Sequence, residues 1–161
     1  MIEEQMNVRQ VRPDQQPPDG GATLVVRGDN TDSGTLLAKI REVWFVAAGW
    51  GRWFNEDLGD WPSLEECQKQ LPTWFRFESD PAPLENWMEF LDNRDWGWWS
   101  SSTIDQYVKI DIELGSIPFS FYALTFVIEE VGGTIVYKDR WMNSQQLRRH
   151  LNLDDDRSSQ E

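Results

Sequence analysis

The chain is poor in the residues that most chemistry needs. It has one cysteine, Cys67, and one histidine, His150, in 161 residues. One cysteine excludes an internal disulfide. A lone Cys and a lone His far apart in sequence cannot assemble a structural zinc set. A nucleophile–base pair would have to recruit His150, which falls on a predicted terminal helix. The only thiol, Cys67, falls inside an amphipathic pattern where a buried, inert thiol is the ordinary outcome. No glycine-rich phosphate loop is present. Gly49-Trp50-Gly51 has bulky neighbours where a cradle needs small ones. The longest apolar run, Val43 to Ala48, is far too short to span a bilayer, and Met1 to Gln5 lacks the basic and apolar regions of an export signal. These absences lead to the expectation of a cytoplasmic protein without metal or cofactor.

Basic residues are also scarce. Fifteen Lys and Arg face 28 Asp and Glu, for a net charge of −13. Phosphate backbones and anionic lipid heads would be repelled, so neither a nucleic acid nor a membrane is the expected partner. A basic protein is, because such a field steers cationic partners toward the surface.

Aromatic residues, in contrast, are abundant. Ten tryptophans and eight phenylalanines exceed what one core of this size requires. Two segments join tryptophan to acid. The first contains Trp50, Trp53, Glu56, Asp57, Asp60 and Trp61. The second contains Asp92, Asp95, Trp96, Trp98 and Trp99. Both read as loops or strand ends, where binding residues are often displayed. Tryptophan anchors flanked by carboxylates suit a basic protein surface. The competing reading is that these tryptophans are core and the acids only keep the rim soluble. Asn55 to Asp60 lacks the alternation of a calcium loop.

Patterning predicts an α+β domain over residues 22–153, between disordered tails at 1–21 and 154–161. Ala22 to Val26 reads as a short edge strand. Residues 35–48 are ambiguous: Leu36, Leu37, Ile40, Val43, Trp44 and Ala47 keep helical spacing, while Val43-Trp44-Phe45-Val46 favours a strand. The balance predicts a short helical turn or loop leading into a strand at about 42–48. Ser63 opens a short helix that Pro72 stops. Thr73 to Glu78 reads as a strand. Leu84, Trp87, Met88 and Leu91 mark another helix. Tyr107 to Leu114 alternates strictly, which predicts one buried and one wet face. A helix with an apolar stripe from Phe119 to Val131 ends at Gly132-Gly133. A strand at 134–137 follows, then a helix opened by Asn143 or Ser144. Strands at 42–48, 73–78, 107–114 and 134–137 give the βαββαβ order of a ferredoxin-like fold. The sheet is four-stranded and mostly antiparallel, with helices on one face and one extra short helix inserted.

A domain of this kind fits an acidic binding module. The form favoured is an immunity or antitoxin-like inhibitor that neutralises a basic partner such as a nuclease toxin. Two other readings follow from the same residues. One is a DNA mimic of the anti-restriction type. The other is a small enzyme with a carboxylate in a Trp-lined cleft. Oligomeric state is not legible from the sequence.

Overall fold

The computed structural model describes residues 2–12, 14–50, 62–75, 82–114 and 121–153. Helix α1 spans Glu3–Val8, strand β1 Gly21–Gly28, helix α2 Ser33–Trp50, helix α3 Leu64–Gln70 and helix α4 Ala82–Asp92. Strands β2 (Trp96–Ile104) and β3 (Tyr107–Leu114) follow, then helix α5 (Tyr122–Glu130), strand β4 (Gly133–Arg140) and helix α6 (Ser144–His150). The four strands form one sheet in the order β2-β3-β1-β4, and every pairing is antiparallel. With α2 and α5 as the crossovers, this is the ferredoxin-like βαββαβ arrangement expected from the sequence.

Two of its strands, however, come from other residues. The segment 42–48 is the second half of α2, not a strand. Leu36, Leu37, Ile40, Val43, Trp44 and Ala47 are all buried on one helical face, and that burial outweighs the local β preference of Val43 to Val46. Asp32 Oδ1 accepts the Thr35 N–H at 2.8 Å and fixes the start of the helix. Residues 73–75 form a turn, closed by the Phe75 N–H on the Pro72 carbonyl at 2.9 Å; the rest of that expected strand lies outside the described residues. The first strand is β1, which pairs with both β3 and β4 and is central, not an edge. The second is β2, which begins in the segment expected to be a loop or strand end.

The N-terminus also departs from expectation. Residues 2–12, expected to be disordered, carry α1 and an extended strap. Gln5 Nε2 donates to the Phe45 carbonyl at 2.9 Å, and a Cβ on Gly49 would meet that same amide nitrogen. A side chain at position 49 would therefore displace the Gln5 amide from this contact. Composition hid this, because the contacts that hold the segment are polar. The expected acidic tail at 154–161 lies outside the described residues.

Both faces of the sheet are covered. Leu24, Val26, Val108, Ile110, Ile112, Trp96 and Trp98 pack into the main core under the helices. On the opposite face, Val25, Ile104 and Leu147 form a smaller cluster with Tyr107, Tyr137 and Met142 beside it. The second side of β3 is therefore dry rather than wet: Lys109 and Asp111 are buried. Helix α6, which begins where Asn143 Oδ1 caps the Gln146 N–H at 2.8 Å, supplies part of the cover.

Candidate functional surface

The tryptophan–acid segments divide on folding. Trp96 and Trp98 are fully buried and stack on Trp44, with ring centroids 5.3 and 6.3 Å away. Their side chains belong to the core and are closed to a partner. The cause is strand alternation: in β2 both residues point to the helix-covered face. Trp50 is also buried. Its indole N–H donates to Gln70 Oε1 at 2.6 Å and its ring meets Trp87 edge-on. Trp99 is half-buried under the strap. Its N–H donates to the Gln15 carbonyl at 2.8 Å, and the Arg12 guanidinium lies 3.5 Å from its ring centroid. Asp92 and Asp95 are exposed. Trp53, Glu56, Asp57, Asp60 and Trp61 lie outside the described residues.

Other aromatics take the exposed positions. Phe90 on α4 and Tyr122 on α5 are 46% and 64% exposed, and their rings stack at 5.1 Å with an interplanar angle of 27°. Two large rings stacked on each other in water form a preorganised apolar step. Glu85, Glu89 and Asp92 are exposed on α4 at i, i+4 and i+7, so they make a ridge along the helix on a different face from Phe90, whose own face carries Asn86 and Asn93. On α5, Glu129 lies two turns from Tyr122 and is exposed as well. Sequence reasoning missed this pair. Phe90 lies off the stripe formed by Leu84, Trp87, Met88 and Leu91, and that displacement was its available signal. Tyr122 fell within a broad apolar stripe and gave none.

A second group of ionisable residues lies on the face of the sheet opposite the main core. The Lys109 ammonium donates to both Asp111 oxygens, at 2.7 and 2.6 Å, and Thr23 Oγ1 donates to Asp111 Oδ1 at 2.8 Å. Thr23 in turn accepts the Met142 N–H at 3.0 Å. Burial pushes the Asp111 carboxyl up to about 6, against the pull of Lys109 and Thr23, and pushes the Lys109 ammonium down. Glu113, further along the same face, is pushed up to about 7 by burial and by Glu3, Glu4 and Asp19, with Arg12 opposing. The Asp111 carboxylate is engaged by internal donors, so this group acts as a strut between β1, β3 and the segment leading into α6. Cys67 is buried, and burial with Glu66 raises its thiol to about 11, which keeps it protonated and unreactive.

Among the described residues, no group of three or more His, Cys, Asp or Glu side chains is placed to hold a metal ion. No helix among them is long and apolar enough to cross a membrane. No family model, curated protein or solved structure matches this chain.

Proposed function

We propose that this protein is an acidic binding module that neutralises a basic partner protein in the cytoplasm, in the manner of an immunity or antitoxin-like inhibitor of a toxin such as a nuclease. The observation that carries the reading is the exposed Phe90–Tyr122 stack, on a helix whose neighbouring face carries the acidic ridge Glu85, Glu89 and Asp92. Aromatic anchors set in a field of one charge are what a hot spot for a cationic surface requires. The net charge of −13 supplies long-range steering toward such a partner.

The test is affinity capture from the native cytosol, washed at low and at high salt, with the wild-type chain and a Phe90→Ala/Tyr122→Ala variant. The expected result is one basic protein that stays bound at high salt to the wild type and is lost by the variant. Each truncation should weaken the purified complex by about 2 kcal/mol. Binding that vanishes at high salt and ignores both aromatics would instead favour the DNA-mimic reading. Absence of any basic partner would overturn the proposal.

A further inference from the structure

Strand β2 lies at an edge of the sheet, and the strap covers only part of it. The Ser101 N–H donates to the Gln10 carbonyl at 3.4 Å, and Arg12 donates to the Trp99 carbonyl at 3.0 Å. Beyond Ser101 the edge opens into a cavity of about 460 Å³ between α2 and β2. That volume is in the range of small-molecule sites. Val11, Leu37, Ala38 and Ile104 give it apolar walls, and Arg41 and Ser102 line it too.

Arg41 is the notable member. Its Nε donates to Ser101 Oγ at 2.9 Å and its Nη2 to the Ser101 carbonyl at 3.1 Å. Three of its five N–H groups remain, on Nη1 and Nη2. The guanidinium is half-buried, and among the described residues no carboxylate forms an ion pair with it. Burial alone lowers its affinity for a proton, with no acid opposing. In a chain with 28 acids and 15 bases, a partly desolvated cation without an acid is an exception. Ser102 also lines the cavity, but strand alternation turns its buried Oγ to the opposite face of β2 from Arg41. Thr103 adds a backbone N–H and C=O. The N–H and C=O of Ser101 both face off the sheet, and antiparallel alternation repeats that orientation two residues on.

We propose that this cavity binds a small monocarboxylate with an apolar body. The carboxylate would take the free fork of Arg41, and the hydrocarbon would lie against Leu37, Ala38, Val11 and Ile104. One cation calls for one negative charge. A dianion would add repulsion from a protein that is already strongly acidic. The site is separate from the aromatic step on α4 and α5, so either can fail without the other.

The experiment is a titration of the ¹⁵N-labelled full chain with sodium benzoate at fixed ionic strength and pH 7, with benzyl alcohol as the neutral control. Saturable shifts are expected at the amides of Gly34, Leu37, Ala38 and Thr103, with none from benzyl alcohol. Arg41→Gln should weaken benzoate binding about tenfold or more. Ala38→Trp, at an exposed helix position, should block the cavity while circular dichroism stays unchanged. Failure of benzoate to saturate would overturn the proposal, as would equal binding of the alcohol. Unaltered affinity in the Arg41→Gln variant would do the same. If that variant does not fold, undiminished binding to Ala38→Trp is the overturning result.

Discussion

Replacing Glu4 with glutamine should destabilise the whole domain, although position 4 belongs to a segment whose composition reads as a tail. The Glu4 carboxylate receives Arg94 Nη1 and Nη2 at 2.6 Å each, and the two side chains are 2% and 1% exposed. It also accepts the Trp98 backbone N–H at 2.8 Å and the Trp44 indole N–H at 3.3 Å. Arg94 itself lies 5.5 Å from the rings of both Trp44 and Trp96. Removing the negative charge leaves a buried guanidinium uncompensated among tryptophans. Breaking one side of a buried pair costs about 3–5 kcal/mol. For a chain of this length that corresponds to a fall in Tm of roughly 6–20 °C.

Urea and thermal melts of Glu4→Gln, Arg94→Met and the double variant measure the effect. Each single change should cost several kcal/mol. The double variant should cost well under their sum, because the second change removes the orphan created by the first. Amide exchange in α1 should rise with the loss. If Glu4→Gln costs less than about 1 kcal/mol and leaves the exchange of Trp98 unchanged, the pair is not what docks α1, and the reasoning fails.

Truncation should separate core from surface aromatics. Trp98→Ala is expected to cost about 3–5 kcal/mol in urea melts, whereas Phe90→Ala should stay near neutral; a folded Trp98→Ala protein of wild-type stability would return that residue to the interface list. Stability should also fall as pH rises from about 4.5 to 7. Glu113 has its folded-state pKa raised to about 7, so its contribution is fully present below the unfolded value and lost as pH passes through the folded one. The difference between wild type and Glu113→Gln in urea melts at pH 5 and 7.5 isolates this group from general charge repulsion. Equal slopes for the two proteins would refute the assignment.

The sequence carried its information unevenly. Strand β3 was legible because alternation over eight residues has no competing explanation. Helices α3, α4 and α6 were legible because Ser63, the stripe from Leu84 to Leu91, and Asn143 each give a local signal. Helix α2 was not, because four β-favouring residues sit within a helical apolar face and only the sheet beneath decides between them. The same tertiary term hid the site. Trp96 and Trp98 looked like exposed anchors while Asp92-Asn93-Arg94-Asp95 was read as their surroundings. In the fold, Arg94 turns inward to Glu4, and strand pairing carries both tryptophans into the core. The aromatic step needed two helices to meet, and no short window contains Phe90 and Tyr122 together.

The buried charges also bear on how the surface acts. Glu4 is matched by Arg94, and Asp111 by Lys109, inside the protein. These pairs cancel internally, so they add nothing to the net charge of −13. A basic partner of the kind proposed would meet a surface whose long-range attraction is salt-sensitive. The energy that survives screening has to come from groups that exclude water. On the helical layer, the Phe90–Tyr122 stack is the group proposed for this. Salt should then slow association far more than it speeds dissociation, and loss of the two rings should do the reverse.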